Sequence, residues 1–185
     1  MLFLGRISRQ KGVDLLVPAF QQVLQRHADT HLVVAGPDSE GLEQSLRHAV
    51  TQRGMGSHVT FAGRVPDNLK LAAYADAAVY VLPSYAENFG ATVTEALACG
   101  RPVVITNRVN VCDEIAAADA GVVVDCSVDA VAAGLNRVLS DDALADRLGR
   151  NGRALVQRKF TWDAAFDTLI PLYQTVIAAS RRRAA

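Results

Sequence analysis

The chain has 185 residues, 50% of them apolar and 21% charged, the size and composition of one ordinary globular domain with a single substantial core. Lysine plus arginine (19) equals aspartate plus glutamate (19), so no global field draws it to nucleic acid or to an anionic membrane. The longest apolar runs fall far short of a membrane span, and the only dense basic patch, Arg181-Arg182-Arg183, reads as a solvated tail beyond a helix C-terminus.

The opening segment MLFLGRIS lacks the charged n-region and long h-region of a signal peptide. It enters a strand at once, as though cut at a domain boundary. Short apolar, β-branched runs follow at Leu2–Leu4, His31–Ala35, Val59–Ala62, Ala78–Leu82, Pro102–Ile105 and Val122–Val124. Between them lie segments of helical period, such as the stripe Leu16, Ala19, Phe20, Val23, Leu24. Strands apolar throughout and separated by helices predict a three-layer, Rossmann-like, doubly wound parallel α/β sheet of about six strands. Three helices without intervening strands are predicted at the end: Ala130–Leu139, Asp142–Lys159 and Trp162–Ala179. Ser140-Asp141 mark the first junction and Thr161 the N-cap of the last helix. Trp162, Phe166, Leu169, Tyr173 and Val176 form an apolar stripe on that helix, which Pro171 interrupts and is expected to kink. With no repeat and no low-complexity linker, residues 1–185 read as one domain. Cys99, Cys112 and Cys126 are odd in number, lack CxxC spacing and lie among apolar residues, which predicts buried, reduced thiols in a cytoplasmic protein.

In an open α/β sheet, ligands bind at the carboxyl ends of the strands, so the loops there are the places to look for chemistry. The first, Gly5-Arg6-Ile7-Ser8-Arg9-Gln10-Lys11-Gly12, sets fixed cations between a strand end and a helix start, which suits a phosphate. Alone it reads equally as solvated loop charge, and it has neither Walker A nor GxGxxG spacing. The second, Gly36-Pro37-Asp38-Ser39-Glu40-Gly41, supplies a turn and a helix N-cap, and Gly36 lets a ligand approach the backbone. The richest is PSYAENFGATVTEALACGRPVV, residues 83–104. Gly90–Cys99 is predicted to be a short helix whose start presents the N–H groups of Phe89, Gly90 and Ala91. Glu87 lies before that helix and Glu95 inside it. A carboxylate on an Ala/Leu/Val-lined helix needs a partner, and sugar or ribose hydroxyls would serve. A glycosidase pair is disfavoured. If the backbone between them were wholly helical, their Cα atoms would lie about 12 Å apart, beyond the ~5–9.5 Å of hydrolytic carboxylate pairs.

These residues resemble the C-terminal domain of glycosyltransferase family 4, retaining enzymes of the GT-B fold. The resemblance runs from Phe3 to the final helix. It rests on the E-x7-E element Glu87–Glu95, on the GRISRQKG loop, and on Phe61, Gly63, Val65, Leu69, Tyr74 and Asp76 within VTFAGRVPDNLKLAAYAD. It implies that the chain is one half of a GT-B fold with the N-terminal acceptor domain absent, and that the last helix, about 162–179, packs back toward that domain. It implies as catalytic residues Arg6 and Lys11, which hold the donor diphosphate and stabilise its growing charge, and Glu87 on the transferred sugar. It implies a donor-binding set of Gly5, Gly36, Asn88, the backbone of Phe89, Gly90 and Ala91, Glu95 on the ribose, and Arg64 and Val65 near the nucleobase.

Two departures from the family pattern stand out. Asn88 replaces a frequent glycine or proline, and Asn107–Ile115 lacks the usual paired glycines, so Asn110 is assigned no sugar contact. The implied reaction moves a glycosyl group from a nucleoside diphosphate sugar to an acceptor with retention, in glycan, glycolipid or polysaccharide biosynthesis. No cofactor or metal is expected: there is no DxD, and His27, His31, His48 and His58 lack ligand spacing. The expected partners are the nucleotide-sugar donor and an acceptor held by the absent domain, with any membrane contact made through that domain. The expected state is a monomer that binds donor but transfers little alone. The alternative is a non-catalytic nucleotide-binding module of the same fold. A GT-B phosphorylase is disfavoured, because no lysine lies in apolar surroundings suited to a pyridoxal phosphate Schiff base.

Overall fold

In a computed structural model, residues 1–183 are described; the side chains of 178 and 180–183, the Arg181–Arg183 run included, lie outside the described residues. Six strands form one sheet: β1 (Leu2–Leu4), β2 (Leu32–Ala35), β3 (Val59–Gly63), β4 (Tyr80–Leu82), β5 (Val103–Thr106) and β6 (Val122–Val124). Every pairing is parallel and the order is β3-β2-β1-β4-β5-β6. The central strands β1, β4 and β5 are buried along their whole length. Their unbroken apolar sequence requires this, because helices cover both faces of such a sheet. The edge strand β3 instead alternates, with Val59 buried and Thr60 exposed.

The crossovers are α1 (Val13–Leu24), α2 (Glu43–Gln52), α3 (Asp67–Asp76), α4 (Ala91–Ala98) and α5 (Cys112–Ala117), followed by α6 (Val128–Leu139), α7 (Asp142–Lys159) and α8 (Trp162–Arg183). α1 packs on α2 and α6, and α4 packs on α3 and α7. Leu16, Ala19, Phe20 and Val23 are the buried face of α1, as its period predicts. The last three helices start at side-chain caps: Ser127 Oγ accepts from Ala130 N–H (3.3 Å), Asp141 from Leu144 N–H (2.9 Å) and Thr161 from Ala164 N–H (3.2 Å).

Two expectations are corrected. The Arg181–Arg183 backbone belongs to α8 rather than to a tail, because arginine is a good helix former and cations suit a last turn. α8 runs through Pro171, as the predicted helix does, with Thr175 Oγ1 donating to the Pro171 carbonyl (2.8 Å). Cys99, Cys112 and Cys126 are free, as expected, but each is half-buried rather than buried. They sit at the end of α4, the start of α5 and just after β6, positions at the margins of the core.

The strand order reverses between β2 and β5 around the adjacent pair β1 and β4. The loops leaving β1 and β4 therefore face each other across the crevice where such sheets bind ligands.

Candidate functional site

The loop after β1 closes onto the loop after β4 through backbone. Arg9–Lys11 is a single 3-10 turn ended by Gly12 at φ 69°, where a Cβ would lie 1.9 Å from the Pro83 carbonyl oxygen. Only glycine permits that approach. Around it, Tyr85 N–H donates to the Gln10 carbonyl (2.9 Å), Gln10 Nε2 to the Ala86 carbonyl (3.1 Å) and Tyr85 OH to Asp14 (2.9 Å). The result places the Lys11 ammonium against Glu87 Oε2 in an ion pair, with the two side chains only 15% and 16% exposed. Burial raises the Glu87 carboxyl, but the Lys11 hydrogen bond and charge, with the N–H groups of Phe89 and Gly90, outweigh it and hold the group below the usual carboxylate range. Glu87 is also fixed through its backbone. Its N–H donates to the Arg108 carbonyl (3.0 Å) and its carbonyl accepts from Asn110 N–H (3.0 Å). The 107–115 stretch that lacks glycines thus supports Glu87 by main chain.

The loop after β2 is set the same way. Gly36 N–H donates to the Gly63 carbonyl (2.7 Å), and a Cβ on Gly36 would lie 1.8 Å from the Gly5 carbonyl oxygen. The close approach there is of backbone to backbone. Asp38 supplies the expected cap for α2 from well ahead of it, accepting from Leu42 N–H (2.9 Å) and Glu43 N–H (3.0 Å). Those bonds hold its carboxyl below the usual range.

Gly90, at φ 76°, is the N-cap of α4, so the helix begins at Ala91, one residue later than the sequence predicts. The Ala91 and Thr92 N–H groups fall in the first turn, which has no intrahelical acceptors. Phe89 is exposed and meets Phe160 edge-on at 5.7 Å, and Asn88 is exposed beside it. Because Glu87 precedes the helix, the helical ruler applied to Glu87–Glu95 covers only its second half.

Glu95 has partners that sequence reading missed. Lys70 Nζ lies 2.7 Å from its Oε1, and Tyr74 OH donates to its Oε2 at 2.8 Å. Burial, then the nearby Tyr80 and Glu95, push the Tyr74 phenol up, so it stays a donor. The spacing of Lys70 and Tyr74, four residues apart on α3, puts them on one helix face. Nothing in the sequence names Glu95 on α4 as their common target.

The anticipated residues do not all line one cleft. Arg6, Gly36, Arg64, Val65 and Lys70 surround a cleft of about 370 Å3 that also takes in Gly5. Phe89, Ala91, Glu95, Phe160 and Trp162 line a second, of about 820 Å3, between the start of α4 and the α7–α8 junction. Lys70 lines the first and Glu95 the second, and the two side chains form an ion pair. Lys11 and Glu87 hold each other and line neither. Among the described residues, no three His, Cys, Asp or Glu side chains converge as metal ligands, and no helix is long and apolar enough to cross a membrane.

The glycosyl transferases group 1 family model matches residues 1–155. An uncharacterized glycosyltransferase of Methanocaldococcus jannaschii is 33% identical over 94% of this chain and 44% of its own length. Sucrose-phosphate synthase from Thermosynechococcus elongatus superposes at a TM-score of 0.83 with 33% identity, over 96% of this chain and 46% of that one. HepE of Anabaena, solved in complex with UDP, shares the fold at a TM-score of 0.83 and 20% identity, over 94% of this chain and 48% of that one. The chain thus spans about half the length of the relatives it matches. A parallel Rossmann-like sheet with the arrangement of one half of a GT-B enzyme, matched by the family model over most of its length, makes this chain a member of the group 1 glycosyltransferases.

Proposed function

We propose that the chain is the donor-binding half of a retaining, family 4 glycosyltransferase, whose acceptor domain lies outside these 185 residues. What supports this is the ion pair of Lys11, on the loop after β1, with Glu87, on the loop after β4, together with Arg6 on the first loop and Glu95 on the helix after the second. Arg6 and Glu95 nevertheless line different clefts, and Lys11 and Glu87 line neither. Its span of about half of its relatives supports the division of labour.

In this reading Arg6 and Lys11 take the diphosphate, and the N–H groups opening α4 add their partial positive charge to it. As the glycosidic bond to the β-phosphate breaks, charge grows on the leaving oxygen, and these groups stabilise it without a metal. The acceptor hydroxyl attacks from the same face and gives its proton to the leaving diphosphate. Glu87 holds sugar hydroxyls, Glu95 the ribose, and Arg64-Val65 lie by the base. UDP in a fold neighbour makes a nucleoside diphosphate the natural probe. The reading carries with it a cytoplasmic, monomeric protein that acts in glycan, glycolipid or polysaccharide synthesis.

One observation favours the alternative, a nucleotide-binding module without transfer: each glutamate already has a lysine on it, as structural pairs do. A thermal-shift panel of uridine, guanosine and adenosine diphosphates and their sugars tests the donor site itself. Ligand at a hundredfold excess over Kd stabilises by about 2.7 kcal/mol, a rise of about 5–11 °C for a chain of this size. A flat panel refutes both readings. Transfer restored by adding an N-terminal partner domain selects the enzyme, and binding without restored transfer selects the module.

A further inference from the structure

We propose that Lys70 is a positioning residue of the donor site, which orients the Glu95 carboxylate for the ribose and thereby sets the preference for a ribonucleotide. The inference deepens the donor-site reading and rests on it. Lys70 and Tyr74 reach from one face of α3 to opposite oxygens of the same carboxylate, Nζ to Oε1 at 2.7 Å and OH to Oε2 at 2.8 Å. Two donors on two oxygens fix the plane of the group. Each oxygen keeps a lone pair, and a pair of adjacent sugar hydroxyls matches two such acceptors.

Charge supports the same conclusion. An unpaired Glu95 beside a diphosphate site would repel the ligand, and Lys70 cancels that charge. The lysine has three N–H donors and spends one on Glu95, while its side chain also lines the cleft that holds Arg6 and Arg64. Its ion pair therefore links the linings of the two clefts.

The test uses whichever of uridine, guanosine or adenosine diphosphate raises the melting temperature most, together with its 2′,3′-dideoxy counterpart. Titration calorimetry measures both on wild-type protein, Lys70→Met, Lys70→Gln and Lys70→Arg. Wild type should bind the ribonucleotide at least about tenfold more tightly than the dideoxy form, a difference of about 1.4 kcal/mol. In Lys70→Met and Lys70→Gln that ratio should fall to within about threefold of one, mostly by loss of ribonucleotide affinity, and Lys70→Arg should restore most of it. A ratio unchanged in folded Lys70→Met or Lys70→Gln, or equal losses for both ligands, overturns the inference and leaves the donor site standing. Wild-type protein that binds no nucleoside diphosphate overturns the inference and the reading beneath it together.

Discussion

Replacing Lys11 by methionine and Glu87 by glutamine, singly and together, isolates the energy of the contact that joins the loops after β1 and β4. The side chains are 15% and 16% exposed, so the pair lies largely out of bulk water. At an effective dielectric near 20, unit charges about 4 Å apart attract by about 4 kcal/mol. Desolvation of both ions and the roughly 2 kcal/mol of rotamer freedom lost by the lysine take back more than half. A coupling of about 1–2 kcal/mol should remain. Lys11→Met alone should cost more, about 2–3 kcal/mol, because it strands a carboxylate. Urea unfolding of the four proteins at pH 7 gives the cycle directly. The pH dependence adds an independent check. The Glu87 carboxyl titrates below its ordinary 4.5, so its contribution is complete above that pH and is lost as pH falls through the depressed folded value. The stability difference between wild type and Glu87→Gln should therefore narrow below pH 4.5. A coupling inside the usual additivity error of about 0.5 kcal/mol would refute the reasoning, as would a difference that widens in acid.

Two further outcomes are expected. Gly36→Ala places a methyl 1.8 Å from the Gly5 carbonyl oxygen at φ 138°. Overpacking and backbone strain should together cost about 3 kcal/mol or more; calorimetry should show melting about 6–12 °C lower, and an unchanged melting temperature would contradict the packing described. If the proposed donor site holds, Glu87→Gln should tighten binding of the bare nucleoside diphosphate, because it frees Lys11 for the phosphates, and weaken binding of the nucleotide sugar, because it alters the proposed sugar contact. Calorimetric titrations that move both ligands in the same direction would remove Glu87 from the sugar site.

The fold was legible because its signals are local. Phe3, Val81 and Val104 belong to runs with no polar side to expose, and such runs can only be interior strands. Ser127, Asp141 and Thr161 carry the helix starts in their own side chains. The site was legible in part. Glu87 and Glu95 stood out as acids in apolar company, and Lys11 as a cation at a strand end. Their partners were not legible, since Lys11–Glu87 and Lys70–Glu95 join residues 76 and 25 positions apart, and only the folded backbone brings them together. The close approach of Gly36 to the Gly5 backbone was not legible either, since it too joins residues far apart in the chain.

The donor-site reading is tested most directly by a crystal structure of the chain soaked with the nucleotide sugar that raises its melting temperature most. The diphosphate should lie against Arg6, Lys11 and the opening turn of α4, the ribose on Glu95, and the sugar on Glu87. A nucleotide seated elsewhere, with the Lys11–Glu87 and Lys70–Glu95 pairs undisturbed and no phosphate near Arg6, would contradict it.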